Sequence, residues 1–164
     1  MTKFLVPVDF SKAALNAAAY AIQMAQSMEK ASLELLTVLP PLGIGSDGSP
    51  VNEDEKVRIQ AAEQMLEALQ VQLFEIAPVP IDTKVAFGEF LPELKKAMTL
   101  QAFDYVVVGI ASASAIEEKM LGSSAIDLAQ DSDIPVIIVG EQMHFQPIQK
   151  VAVAVELNSV SEKV

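Results

Sequence analysis

The residues best suited to chemistry are a spaced pair of small, polar clusters and one acid. Gly109-Ile110-Ala111-Ser112 is followed, after nine residues, by Gly122-Ser123-Ser124. Gly122 opens a short helical stretch that runs to Gln130. At such a start the first backbone N–H groups lack intrahelical partners, and the helix dipole favours an anion. Glycine lets a backbone approach a phosphate closely, and Ser123 and Ser124 add hydroxyl donors without bulk. Asp9 closes an apolar run near the N-terminus, and its carboxylate is an acceptor suited to a ribose hydroxyl. Each group also has a plain structural reading. Asp9 can order the turn it sits in, Ser123 and Ser124 can be helix N-caps, and Gly109 can be a strand end.

Catalysis finds little support. The chain has neither a G-x-S-x-G elbow nor a G-x-x-x-x-G-K-[ST] loop. His144, the single histidine, lies in a polar stretch without a nearby acid and reads as a surface residue. Glu53-Asp54-Glu55 suggests a metal cluster, but acids in the first turn of a helix are what its dipole favours. Met24, Met28, Met65 and Met98 fall on helices and read as core filler. A phospho-acceptor receiver would want an acidic pair after the first strand and an Asp after the third. The chain offers a lone Asp9 and Phe87-Gly88 instead.

These groups must be positioned by a chain of 164 residues, 51% hydrophobic and 20% charged, the balance of one packed domain. Cysteine is absent, which excludes disulfides, thiolate metal sites and a Cys nucleophile. The formal charge of −11 and the lack of a basic cluster beyond Lys95-Lys96 argue against a nucleic-acid partner. No apolar run approaches the ~20 residues of a membrane span. MTKFLVPVDF lacks the marks of a signal peptide, so the cytoplasm is the default expectation.

Strands are predicted at Lys3 to Asp9, Ala31 to Leu39, Ile81 to Ala86, Tyr105 to Gly109 and Ile134 to Val139. Helices are predicted between them. The first follows Ser11 as N-cap, with Leu15, Ala18, Ala19, Ile22 and Ala25 inward. The second spans Glu53 to Phe74, with Ile59, Ala62, Leu66, Leu69 and Leu73 on one face. The third spans Gly88 to Leu100, with Leu91, Leu94 and Met98 inward, and the fourth is the stretch from Gly122. Pro40 to Pro50 reads as a loop. Strict alternation of this kind predicts a doubly wound α/β domain with a parallel sheet. Ligands of such sheets sit beyond the carboxyl ends of the strands, where the strand order reverses. That rule points to Asp9, Val38 and Gly109.

The domain is expected over residues 1–141, followed by a polar linker over 142–149. Residues 150–164 (KVAVAVELNSVSEKV) align with the N-terminus: Lys150 on Lys3, Val153 on Val6, Val155 on Val8 and Glu156 on Asp9. They read as the first strand of a truncated second copy in a tandem protein, or as a strand that pairs with a partner.

Gly109-x2-Ser112-x9-Gly122-Ser123 resembles the nucleotide loop of the universal stress protein family, G-x2-G-x9-G-[ST], with Ser112 in place of the second glycine. LVPVDFS, LELLTVL, DYVVVG and DIPVIIV are similar to the family's first, second, fourth and fifth strands. The resemblance runs from about Lys3 to Gly140. It implies an adenine-nucleotide-hydrolase-like sheet of order 3-2-1-4-5, homodimers built through the last strand and, in some members, ATP binding, here with or without Mg2+. By position, Pro7, Val8 and Asp9 would lie against base and ribose, and Val38 would meet adenine through its backbone. Gly109, Ser112, Gly122, Ser123 and Ser124 would hold the phosphates. The expected function is an ATP-binding, regulatory stress-response module with little or no hydrolysis. The alternative is a stress interaction protein that binds no nucleotide and acts through its dimer surface. It is motivated by Ser112 and by Glu117 and Glu118, whose charges would repel phosphate if they faced inward.

Overall fold

The computed structural model describes residues 1–42, 55–111 and 123–153. Nine elements alternate without exception along it: β1 (Thr2–Pro7), α1 (Lys12–Gln26), β2 (Ala31–Leu39), α2 (Glu55–Ile76), β3 (Ile81–Phe87), α3 (Phe90–Leu100), β4 (Tyr105–Ile110), α4 (Ser123–Asp131) and β5 (Val136–Gly140). The strands form one five-stranded parallel sheet of order β3-β2-β1-β4-β5, the predicted class and order.

The sheet is buried on both faces, as helix crossovers require. On one face Phe4, Val6, Leu33, Leu35 and Val107 pack beneath α1 and α2. On the other, Leu5, Leu36, Val106 and Val108 pack with Leu94 of α3 and Leu128 of α4. Alternate residues of the central strands β1 and β4 serve opposite cores, so these strands read as continuous apolar runs, whereas Asp82, Thr83 and Lys84 of the edge strand β3 are exposed. Glu34 is the buried acid of the central sheet. The Gln101 amide, oriented to satisfy both neighbours, donates to Glu34 Oε2 (3.1 Å) and accepts from Lys3 Nζ.

Helix α1 buries Ala18, Ile22 and Ala25 as predicted but departs from its predicted face at Leu15. Leu15 is 36% exposed, and the inward face is made by Ala14, Ala17, Ala18, Ala21, Ile22 and Ala25. The reason is distance: the helix lies so near the sheet that alanine fits where leucine would not. At Gly109 a Cβ would fall 2.2 Å from the Ala13 carbonyl oxygen and 2.8 Å from the Ala14 nitrogen. Met65 also corrects the reading of the methionines, since it is 48% exposed on α2. Helix α3 starts at Phe90 and not at Gly88, whose φ of +146° is not helical. Strand β5 begins at Val136, because Ile134 is held in a turn by Ser132 Oγ (3.2 Å).

Beyond β5 the chain is fastened back onto α1. Asn16 Nδ2 donates to the Gly140 carbonyl (2.9 Å) and to the Met143 carbonyl (2.8 Å). Tyr20 and Phe145 meet edge to face, with ring centroids 5.2 Å apart. The predicted linker is thus partly docked, with His144 exposed upon it. Of the tail, residues 150–153 are exposed and belong to no element. The remainder of the strand expected there lies outside the described residues.

Gly109→Ala should lower the free energy of unfolding by about 2 kcal/mol or more, because backbone atoms of α1 must move. Gly140→Ala should change it by about 0.5 kcal/mol or less, because the new methyl would meet a flexible Met143 side chain at 3.2 Å. Urea denaturation of both variants checks the contrast.

Candidate functional site

A cleft of about 400 Å³ opens at the carboxyl ends of the strands, within the size range of small-molecule sites. Its position follows from the pairing. β1 pairs with β2 as far as Pro7↔Leu36, but with β4 only through Phe4↔Tyr105 and Leu5↔Val106. Beyond Leu5 the neighbouring strands β1 and β4 part. Their crossovers leave on opposite sides of the sheet, so the gap is the switch point of the strand order.

Pro7, Val8 and Asp9 line the cleft from β1 and the turn that follows it. Leu36, Val38 and Pro40 contribute from β2, and Val108, Gly109 and Ile110 from β4. Ser11 and Ala14 enter from the start of α1, Gly88 and Phe90 from the β3–α3 junction, and Ala125 from α4. The wall is predominantly apolar, and Asp9 is the one ionisable side chain among the described lining residues.

The Asp9 turn is tightly specified. Asp9 Oδ1 accepts from the Ser11 backbone N–H at 2.9 Å, and Ser11 Oγ caps α1 by accepting from the Ala14 N–H at 3.2 Å. Between them Phe10 takes φ +61°, a left-handed conformation unusual for a bulky residue. Its ring packs onto the α1–α2 core, which holds the residue there. Alongside, Thr37 Oγ1 donates to the Val8 carbonyl (2.9 Å) and the Val8 N–H donates to Leu36 O (2.8 Å), so the end of β1 stays sewn to β2. Asp9 itself remains exposed, with Oδ2 outside this bond.

Of the residues singled out in the sequence, Pro7, Val8, Asp9, Val38 and Gly109 therefore lie together. Ser112 and Gly122 fall outside the described residues, as do Glu117 and Glu118. Ser123 and Ser124 open α4 in backbone terms. Gly109 lines the cleft, yet its lack of a side chain is demanded by α1 whatever the cleft contains. Sequence reasoning missed Ser11, Pro40, Gly88, Phe90 and Ala125. The strand-end rule applied to β3 would have found Gly88 and Phe90, which lie one and three residues beyond its last residue, Phe87. Among the described residues no three His, Asp or Glu side chains gather as a metal site would require. No helix among them is long and apolar enough to cross a membrane.

A parallel sheet of this order with a cleft at its switch point defines a protein of the doubly wound α/β class. The universal stress protein family profile matches residues 1–140, and the chain belongs to that family. A universal stress protein of Methanocaldococcus jannaschii is 26% identical over 147 residues, covering 84% of this chain and 81% of the relative. Two solved structures share the fold. A universal stress protein in complex with cAMP superposes with a TM-score of 0.62 at 22% identity, covering 84% of this chain and 96% of the other. An Arabidopsis thaliana family member with AMP bound superposes with a TM-score of 0.58 at 16% identity, covering 85% and 92%.

Asp9→Ala should cost about 1 kcal/mol of stability by releasing the Ser11 N–H and the turn that seats Phe10. Asp9→Asn, which keeps an acceptor oxygen, should stay within about 0.5 kcal/mol of the parent. Thermal unfolding of the two variants side by side measures the difference.

Proposed function

We propose that this protein is an adenine-nucleotide-binding module of the stress-response type, with ATP as its ligand and binding, not turnover, as its activity. One observation carries the reading: the cleft at the parting of β1 and β4 brings an acceptor carboxylate, Asp9, beside apolar strand ends. That combination suits a nucleoside, whose ribose hydroxyls donate and whose base has apolar faces. Two proteins of the same fold carry cAMP and AMP, which supports an adenine nucleotide here. The phosphates would lie toward Gly109 and the start of α4, where Gly122, Ser123 and Ser124 follow Ser112 in sequence and free N–H groups favour an anion. Mg2+ would then be held chiefly by the phosphate oxygens, as is usual for that ion. With no histidine, lysine or arginine among the described lining residues, the site is suited to holding a nucleotide more than to cleaving one.

The test is calorimetric titration of MgATP into the parent and into Gly122→Asp. The parent should bind saturably and gain about 2.7 kcal/mol of stability at a ligand concentration of about 100 Kd. The variant, with a carboxylate at the proposed phosphate end, should lose both effects. No heat and no thermal shift in the parent at millimolar ATP would overturn the reading in favour of a stress interaction protein without nucleotide. Turnover as rapid as that of a dedicated ATPase would overturn its binding-only part.

A further inference from the structure

The cleft has an aromatic side chain that neither apolar core uses. Phe90 lines it and is 38% exposed. Phe4, Phe10 and Phe103 pack into one or other apolar core, but Phe90 is part of neither. An aromatic ring left at the wall of a cleft has apolar faces to offer a ligand.

Its placement is fixed by the turn before it. Gly88 takes φ +146°, a conformation that favours glycine, and a Cβ there would also have to displace the Glu93 side chain, whose Cγ would lie 2.9 Å away. The Gly88 N–H donates to the Leu39 carbonyl at 3.0 Å, which ties the end of β3 to the end of β2. Phe90 is then the first residue of α3, whose Leu94 is fully buried one turn on. The ring thus stands on a rigid element.

The lining is also divided in character. Val38, Pro40 and Phe90 form its β2–β3 end. Asp9 and Ser11 supply the polar groups on the β1–α1 side, and Gly109 and Ala125 lie toward α4. A ligand matching this division is a flat ring with apolar faces joined to a polar, hydroxyl-bearing part. An aliphatic chain would bring no donor to Asp9 Oδ2, the oxygen outside the bond from Ser11.

We infer that Phe90 is a specificity-determining residue that stacks on the base of the bound nucleoside and favours purines over pyrimidines, whose smaller ring covers less of it. The inference rests on the nucleotide-binding reading above, because a base must enter the cleft for Phe90 to meet it.

Two variants test it. The chain contains no tryptophan, so F90W introduces a single fluorescent reporter at the proposed stacking position. Its emission should be quenched saturably by adenosine, more weakly by cytidine, and not by tripolyphosphate. In calorimetry, F90A should bind ATP about tenfold or more weakly than the parent, the range expected for loss of one base–aromatic stack. F90A should also discriminate less between adenosine and cytidine. Parent-like affinity in F90A, within about twofold, would overturn the stacking role and leave nucleotide binding standing. Quenching of F90W by tripolyphosphate as strong as by adenosine would overturn it too. If F90A does not fold, the F90W titration decides alone. Failure of the parent itself to bind ATP would remove both the stacking role and the reading beneath it.

Discussion

The first turn of α1 crosses β4 with no space for a side chain at Gly109, and the cleft depends on that closeness. The helix can lie so low only because its inward face is mostly alanine. Being low, it brings its N-terminus, capped by Ser11, to the place where β1 and β4 separate. The chain must turn from β1 into α1 within four residues, and it does so through the Asp9 bond and the left-handed Phe10. A higher helix would leave room for a gentler turn and a larger residue at 109. The close approach and the strained corner are one solution, with burial of the Phe10 ring opposing the strain.

The same helix carries the contact of the chain beyond the sheet. Asn16 satisfies the carbonyls of Gly140 and Met143, and Tyr20 meets Phe145. Asn16 and Tyr20 both lie on α1, about two and three turns from the Asp9 corner. One wall of the cleft and the anchor of the post-β5 segment are therefore the same rigid body. Rotation of α1 about its seat at Gly109 would move both together.

Much of this was legible in the sequence. Continuous apolar runs separated by helical periodicity specify a parallel sheet, and a resemblance spread over five segments fixed its order. What was not legible depends on distances between elements remote in sequence. Leu15 is more hydrophobic than Ala14, so periodicity alone turns it inward; only the nearness of β4 makes alanine the inward residue. Gly109 reads from its motif as a phosphate contact, whereas the steric demand on it comes from Ala13, about a hundred residues away. Phe145 sits in a stretch polar enough to pass for a free linker, and nothing local announces Tyr20 as its partner. Phe90 breaks no periodic rule and lies one residue into a helix, so it stands out only once β3 is known to end beside the cleft.

Charge sets the last constraint on what the cleft can hold. The chain carries a formal −11, which taken as a whole opposes any nucleotide. The relevant field is local, because exposed charges more than about 8 Å away are largely screened at physiological ionic strength. Within the described lining the one negative charge is Asp9, and its Oδ1 is already committed to the Ser11 N–H. A phosphate close to Asp9 would be repelled, while a hydroxyl there would find an acceptor. Under the proposed function, the phosphates of a nucleotide would be directed away from β1 and toward the start of α4, and its base toward Val38 and Phe90. That orientation would follow from a single carboxylate and one helix dipole, without any cationic side chain in the described wall.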